Sequence, residues 1–404
     1  MPLTVVSKRI TAEELGISHL SDLLGSASNV FIKDNQGLIG WGQALKLTAI
    51  GPDRITNLDS QWREVVAEAE VSDSAHLQGS GLVAFGSISF AKESKTQSVL
   101  VIPQLVIGCV ENQFFISYIN IDENQAMKLI QRDAVQEALS FTAGNISPAQ
   151  FQSKVEKTIE LITNGEVSKV VLARDLKAKA TNFNPNPGLL KLSKKYATCY
   201  SYLVDNTFGA SPELLVSVQF GAVTARVLAG TAGRGTDVEV DKAIGEALAH
   251  SHKNLVEHKY AIDSLINALG DLCIDIEASS EPFSFSLPNL WHLASDVSAK
   301  LKSNTTSLQL LEALHPSAAV AGTPREKALS IIEELEGIDR GRYAGPVGWI
   351  SASGDGIWAI ALRGAHYENN TITAFAGCGI VAESDAESEL AETNLKFKAV
   401  LENF

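Results

Sequence analysis

The chain has 404 residues, 45% hydrophobic and 20% charged, and these proportions exclude a mainly disordered, collagen-like or disulfide-scaffold protein. Its 33 basic and 47 acidic residues give a formal net charge of −14. Binding to duplex nucleic acid requires a basic surface, and the densest basic cluster, residues 191–195, is too short to supply one. We therefore expect no nucleic-acid partner.

The cysteine pattern and the hydropathy favour a reduced, cytosolic protein. The four cysteines lie far apart and form no CxxC pair, which argues against a zinc site and against a disulfide framework. No stretch reaches the roughly 18 apolar residues that a membrane helix needs. The first residues do not resemble a signal peptide. The sequence thus predicts a cytoplasmic protein that does not bind a membrane.

The first part of the chain is predicted to be rich in strands. Residues 29–50 have a hairpin-like pattern with turn residues at 34–37, and further strand patterns follow up to residue 120. A helix is predicted from Ser147 to Asn164, because apolar residues recur there at near-helical spacing and a glycine follows. The run 168–174 is typical of a buried strand.

The second part mixes strands and helices. Strands are predicted at 200–204, 214–219, 223–228, 347–351, 357–365 and 371–376. A single long helix is predicted over about 241–270, and a last helix from Ser384, with Glu387 completing a capping box. Strand runs separated by blocks of helix, without regular alternation, favour an α+β fold with antiparallel sheets.

Two ionisable residues lie in apolar surroundings and could exchange protons with a substrate. Lys169 is predicted to share a strand face with Val171 and Ala173, where lost hydration would favour the neutral amine. Glu213 follows Pro212 and precedes an apolar strand, where partial burial would raise its pKa. Each residue also has a structural interpretation. Lys169 could be a strand-end lysine whose amine reaches solvent, and Glu213 could be an ordinary loop carboxylate.

Other polar residues suggest anion binding. The glycine-rich run 228–235 follows a strand, so its backbone amides could approach an anion, although a tight turn explains the run equally well. Arg363 is expected on a mostly apolar strand, where its guanidinium would bind a carboxylate or form a structural ion pair. His292 and His315 are interpreted as packed core or loop histidines.

Three charged residues share one face of the predicted C-terminal helix. Glu389, Glu392 and Lys396 are spaced i, i+3 and i+7. Two neighbouring carboxylates repel each other unless a cation lies between them, and Glu257 could supply a third. Oxygen ligands of this kind suit Mg²⁺, whereas a solvated charged face is the simpler interpretation of such a charge run.

Several short motifs occur in a fixed order from about residue 150 to the end. They are KVVLAR, GASPELL, LAGT with a later RG, KxxxEH, LWHL, LHPSAAVAGTP, FAGCGIV and ExxETxxK. In this order they resemble the chorismate-utilising enzymes, most closely the isochorismate synthase branch. Residues 82–86 and 100–103 extend the resemblance, more loosely, into the first part of the chain.

The resemblance implies one large α+β domain over residues 1–404. Residues 1–145 would form a β-rich half, and residues 146–404 would form the half that carries the motifs. Two antiparallel sheets would pack face to face, with helices outside and the active site in a deep cleft. The implied cofactor is Mg²⁺ and the implied substrate is chorismate, and no obligate protein partner is implied.

By matching motifs, the resemblance also implies a role for each candidate residue. Lys169 would activate water, and Glu213 would act as the general acid. Glu257 and Glu392 would bind Mg²⁺, with Glu389 close by and acting through water. The residues that would hold the substrate's carboxylates are Gly230, Arg363, Gly377 and Lys396. Asn254 departs from the family pattern, since many relatives have an acidic residue at that position. This difference concerns the outer coordination shell of the metal and not its two principal ligands.

The implied reaction converts chorismate to isochorismate, by addition of water at C2 and loss of the C4 hydroxyl. Lys169 distinguishes this branch from the anthranilate and aminodeoxychorismate synthases, which add ammonia. Salicylate synthases share the lysine but usually have threonine where this chain has Ala319, which favours release of isochorismate over elimination of pyruvate. A catalytically silent binding protein would be expected to lack Lys169 or Glu213. The sequence does not distinguish a menaquinone, siderophore or salicylate pathway.

Overall fold

The computed structural model describes residues 2–130, 139–235, 237–286 and 290–404. It does not describe the side chains of Thr231, Lys253, Glu257 and Leu290.

The strands of the first half are β1 (Thr4–Ile10), β2 (Asn29–Lys33), β3 (Gln36–Trp41), β4 (Leu45–Ala49), β5 (Glu70–Asp73), β6 (Val83–Ser87), β7 (Ser98–Ile102), β8 (Leu105–Val110), β9 (Gln113–Ile119) and β10 (Thr142–Ala143). The later strands are β11 (Lys169–Lys179), β12 (Tyr200–Val204), β13 (Thr207–Ser211), β14 (Leu214–Gln219), β15 (Ala222–Gly233), β16 (Cys273–Ala278), β17 (Phe283–Ser286), β18 (Leu290–Leu301), β19 (Gly322–Thr323), β20 (Pro346–Ser351), β21 (Gly356–Ile360), β22 (Gly364–Glu368) and β23 (Thr371–Ile380).

The helices are α1 (Ala12–Leu15), α2 (Arg54–Glu68), α3 (Glu123–Met127), α4 (Pro148–Thr163), α5 (Asn186–Lys195), α6 (Val238–His250), α7 (His252–Gly270), α8 (Ser307–Leu314), α9 (Arg325–Glu336) and α10 (Ala386–Leu401), with a 3₁₀ helix at Leu20–Ser26. In the described part of the chain, no helix is both long enough and apolar enough to cross a membrane.

The strands form two sheets, which confirms the predicted α+β class. Within the described residues, thirteen strands make the larger sheet, in the order β10-β11-β23-β22-β13-β12-β2-β3-β8-β9-β1-β5, with β19 beside β11. Ten strands make the smaller sheet, in the order β16-β18-β15-β14-β21-β20-β6-β7-β4, with β17 beside β18. The described strand pairs are antiparallel except the edge pair of β1 and β5, which is parallel.

Each sheet contains strands from both halves of the chain. In the larger sheet β12 pairs with β2, and in the smaller sheet β20 pairs with β6. The inner faces of the two sheets meet in a buried cluster that includes Phe31, Phe85, Tyr202 and Trp349. Helices cover the outer faces, so three further apolar clusters of described residues lie beneath α2 with α8, beneath α5 with α10 and beneath α4 with α9. Buried apolar side chains therefore pack against both faces of each sheet.

The single long helix predicted over about 241–270 is wrong. Helix α6 ends at His250 and α7 begins at His252, because Ser251 has an extended ψ of 109°. The Oγ of Ser251 accepts hydrogen bonds from the backbone N and the side-chain Nδ2 of Asn254, which caps α7. The apolar stripe continues across this one non-helical residue, so hydrophobic spacing alone predicts an unbroken helix.

Helices α4 and α10 begin within two residues of their predicted starts. The helix predicted from Ser147 to Asn164 is observed as α4, with Ser147 as its N-cap, since Oγ of Ser147 accepts from the backbone N of Gln150. The capping box predicted from Ser384 and Glu387 is wrong, because α10 is capped by the side chain of Asp385. The Ser384 hydroxyl instead donates to Oε1 of Glu389 at 2.7 Å.

Candidate active site

Lys169 is the first residue of β11, where two strands hold its backbone. Along one edge Val170 pairs with Ile380 of β23, and along the other Lys169 itself pairs with Thr323 of β19. Val170 and Leu172 contribute to a buried apolar cluster, so the alternation of the strand directs Lys169 to the opposite face. The side chain is half-buried and crosses Gly379, where a Cβ would lie only 2.8 Å from Cε of Lys169.

Glu213 lies in the short connection between β13 and β14. Its backbone N donates to Oγ of Ser211 at 3.2 Å, and its carbonyl accepts from the backbone N of Ile360 at 3.0 Å. Burial raises the pKa of the Glu213 carboxyl, while the positive charges of Lys169 and Lys396 act in the opposite direction. The fold therefore brings these three ionisable groups into one region, and burial favours a protonated carboxyl there.

Gly230 forms a bulge in β15, since the pairing with β18 shifts register between Ala229 and Thr231. Its φ of +81° favours glycine, and a Cβ there would lie 3.1 Å from Cβ of Asn254. A hydrogen bond joins the backbone of Gly230 to His292 of β18. The glycine-rich run is therefore the place where a strand is distorted beside α7.

His292 lies in the same region as the two lysines. Its pKa is lowered from 6.5 to about 4, mainly by burial and also by the charges of Lys169 and Lys396, while the hydrogen bond to Gly230 and the charge of Glu392 act in the opposite direction. The interpretation of His292 as a packed core or loop histidine stays a prediction, and its ring also lies close enough to Lys169, Lys396 and Glu392 for their charges to act on it. Its signal in the sequence is the LWHL motif, in which a polar ring interrupts an apolar run.

Helix α10 carries the three charged residues predicted to share a face. The Nζ of Lys396 lies 2.6 Å from Oε1 of Glu392 and donates to the backbone carbonyl of Gly377 at 2.7 Å. Glu389 lies one turn earlier on the same side, and its charge and that of Glu392 both act on Cys378. The predicted shared face is present, and it is turned toward β23.

A buried arginine holds α10 against β11. Nε of Arg174 donates to Oγ1 of Thr393 at 2.8 Å, and the guanidinium lies over the ring of Phe397. Thr393 follows Glu392 directly, so this contact sets the position of Glu392 relative to the strand that carries Lys169. The Arg174 side chain was not singled out from the sequence, although it ends the KVVLAR motif.

The proposed metal ligands are only partly described. Among the residues whose side chains the structure describes, no three acidic, histidine or cysteine side chains are close enough to hold a metal ion. The side chain of Glu257 lies outside that set, while His258, the next residue, is fixed by Nδ1 to the carbonyl of Ala229. The carboxylates of Glu389 and Glu392 have the oxygen chemistry that Mg²⁺ prefers. The metal site therefore stays a prediction.

Arg363 does not lie on a strand, contrary to the prediction. It follows β21 and precedes β22, with a left-handed φ of +51°. Its carbonyl accepts from the backbone N of Ala210 at 3.3 Å, and its charge acts on the buried hydroxyl of Tyr343. That hydroxyl lies 3.2 Å from the position of a Cβ on Gly377. Tyr343, a residue that the sequence analysis did not single out, therefore lies beside Gly377 and close enough to Arg363 for that charge to act on it.

The family model described as chorismate binding enzyme matches residues 20–404, and the chain therefore belongs to this family. The chain is 38% identical over 271 residues to a putative isochorismate synthase MenF of Mycobacterium tuberculosis, covering 63% of this chain and 73% of that one. It is 30% identical over 329 residues to the isochorismate synthase EntC of Escherichia coli, covering 80% and 81% respectively. Among solved structures, it resembles the putative isochorismate synthase DhbC of Bacillus anthracis at 28% identity and a TM-score of 0.73, covering 95% of this chain and 99% of that one.

Proposed function

We propose that the chain is an isochorismate synthase, which converts chorismate to isochorismate. The observation that carries this proposal is the placement of the Glu213 carboxyl close to the amines of Lys169 and Lys396, where burial raises the pKa of the carboxyl. A buried carboxyl and an amine in one region are what acid–base chemistry near neutral pH requires. The relatives that are isochorismate synthases support the same reaction.

In the proposed reaction, Lys169 removes a proton from the water that attacks C2 of the ring. A C2–oxygen bond forms, the two conjugated ring double bonds each shift by one position, and the C4–oxygen bond breaks. Glu213 donates its proton to the departing C4 hydroxyl, which leaves as water. The raised pKa of Glu213 supports the role of acid, because a carboxyl that is already ionised has no proton to give.

The substrate carries two carboxylates, whereas the chain has a formal net charge of −14, so local cations must hold it. We assign this role to Arg363 and Lys396, the latter half-buried on the described face of α10. Gly230 and Gly377 would let the substrate approach the backbone closely. Because the carbonyl of Gly377 already accepts from Lys396, we expect Gly377 to provide space rather than an acceptor.

The proposed cofactor is Mg²⁺, held by Glu257 and Glu392, with Glu389 acting through water. Bound Mg²⁺ would neutralise the ring carboxylate and favour loss of the hydroxyl. The oxygen-only donor set supports this metal, and the ion pair of Glu392 with Lys396 would share the carboxylate between the two cations.

The experiment that tests this function is incubation of the chain with chorismate and Mg²⁺, followed by chromatographic identification of the product. Isochorismate as the main product would support the proposal. Salicylate would indicate a salicylate synthase, which shares the first step. Anthranilate-type aminated products formed with ammonia, or no turnover of chorismate, would contradict the proposal.

A further inference from the structure

The two edges of β11 are covered very differently. Along one edge, β23 pairs with β11 from Val170 to Lys179. Along the other, the described strands pair only at its two ends, β19 at Lys169–Val170 and β10 at Leu176–Lys177. Between these two ends no described strand pairs with this edge, so the backbone groups there need partners outside the sheet.

A buried ion pair supplies two of those partners. The backbone N of Ala173 donates to Oε1 of Glu336 at 2.7 Å, and Nη2 of Arg340 donates to the carbonyl of Val171 at 2.7 Å. Nε of Arg340 in turn donates to Oε2 of Glu336 at 2.9 Å. One acceptor and one donor, two residues apart, are what an adjacent strand would offer to this edge.

Arg340 also holds the segment that leads into β19. Its Nη1 donates to the carbonyl of Val320 at 3.1 Å, and the next carbonyl, of Ala321, accepts from the backbone N of Val171 at 2.9 Å. Two residues further on, Thr323 pairs with Lys169. The guanidinium therefore binds both β11, which carries Lys169, and the segment 320–323, whose Thr323 pairs with Lys169.

The desolvation cost of burying the ion pair of Arg340 and Glu336 indicates a role beyond stability. The side chains of Arg340 and Glu336 are only 2% and 1% exposed, and burial of such a pair costs desolvation energy that its attraction does not reliably repay. Apolar residues of similar volume would pack at lower cost, but they would not bind the carbonyl of Val171 or the backbone N of Ala173.

We propose that Glu336 and Arg340 are positioning residues, which form a side-chain clamp on the open edge of β11 and thereby hold the amine of Lys169 in place for proton transfer. This inference rests on the proposed function for the role of Lys169. The clamp itself rests on the hydrogen bonds to Val171 and Ala173 alone.

The test uses Arg340→Lys, which keeps the positive charge beside Glu336 but loses the planar fork that reaches Val171, Val320 and Glu336 together. We expect kcat to fall about tenfold to a hundredfold, because small misplacement of a reacting group has an effect of this size. KM for chorismate should change by less than about twofold, since the clamp does not touch the substrate.

The matched control is Arg342→Lys. Arg342 is also buried, pairs with Asp205 and donates to the backbone carbonyls of Gln97 and Asp205, none of which belongs to β11. It should lose comparable thermal stability while keeping kcat. Equal losses of kcat in both variants, or an unchanged kcat in Arg340→Lys, would overturn the proposal.

A second variant keeps the proposal testable if Arg340→Lys does not fold. A second measurement keeps it testable if the chain does not turn over chorismate. Glu336→Gln keeps an oxygen that can accept from Ala173 but loses the charge, and it should also lower kcat at nearly constant KM. Hydrogen exchange of peptides spanning 169–175 should be faster in Arg340→Lys than in Arg342→Lys. If the wild type does not turn over chorismate, the proposed function fails, whereas equal exchange in the two variants would show that the clamp fails.

Discussion

The amine of Lys396 donates a hydrogen bond to the backbone carbonyl of Gly377, at 2.7 Å. This bond joins α10 to β23 within the candidate site, and the same amine forms the ion pair with Glu392. An ammonium group has three donors, so it can keep both partners and still bind a carboxylate. The site is therefore arranged so that one lysine can join a strand, a helix and a substrate.

The role of Lys169 is the first prediction. Lys169→Ala should form isochorismate at least about a hundredfold more slowly, because a general base contributes about 10²–10⁴-fold to the rate. Lys169→Arg should be no better, since arginine does not give up its proton. Lys179→Ala is the control on the same strand, where the amine donates to Oγ1 of Thr371. Near-normal turnover in Lys169→Ala, or an aminated main product when wild type is given ammonium salts, would exclude the water-activating role.

Glu213→Gln should lose activity and gain stability. The pKa of Glu213 is raised in the folded state, so folded protein binds its proton more tightly than unfolded protein does. The free energy of unfolding should therefore fall as pH rises through the raised pKa, and the glutamine variant removes this penalty. Thermal melting should show the variant more stable than wild type at neutral pH, with the difference vanishing in acid. The exposed Glu326, changed to Gln, should alter neither property; a glutamine variant at 213 that is active would contradict the acid role.

Activity should require Mg²⁺, vanish with EDTA and return when Mg²⁺ is added. Glu257→Gln and Glu392→Gln should stay folded but bind Mg²⁺ more weakly, as titration calorimetry without substrate can show. Loss of the half-exposed ion pair between Glu392 and Lys396 should itself cost at most about 1 kcal/mol of stability. Glu387→Gln, at an exposed position in the first turn of α10, is the control. Full turnover of either variant at ordinary Mg²⁺ would remove that residue from the metal site.

Arg363→Lys should raise KM for chorismate about tenfold or more, with a smaller effect on kcat. Lysine keeps the charge and the backbone hydrogen bond to Ala210, but it lacks the fork that binds a carboxylate through two parallel bonds. Steady-state kinetics measure this change, with the exposed Arg325→Lys as the control. An unchanged kcat/KM would show that Arg363 has a structural role.

Acid should destabilise the protein through three histidines. Burial lowers the pKa of His292 to about 4, of His315 to about 3 and of His366 to about 4, from 6.5 in each case. As pH falls below about 6.5, the unfolded state binds protons that the folded state does not, so the free energy of unfolding should decrease. Denaturant titrations at pH 7 and pH 5 measure the difference. His366→Gln should make the pH dependence shallower, and a dependence as steep as in wild type would show that His366 does not contribute.

Local patterns predicted much of the fold and part of the site. Apolar alternation placed Lys169 on the strand face of Val171 and Ala173, opposite Val170 and Leu172, and helical spacing placed Glu392 and Lys396 on one side of α10. The break at Ser251 and the left-handed Arg363 were not predictable, because each depends on one residue's backbone angles. The conformation of Arg363 is supported by its hydrogen bond with Ala210, a contact that forms only in the folded chain.

The pairing of strands from the two halves within both sheets has a consequence for any shortened form of the chain. Removal of residues 1–145 would uncover β12 where it pairs with β2, and β20 where it pairs with β6. Uncovered strand edges are templates for pairing between molecules, so such a fragment should aggregate rather than fold. We propose on this ground that residues 1–404 form one domain, whose motif-bearing part depends on the other half to complete its sheets.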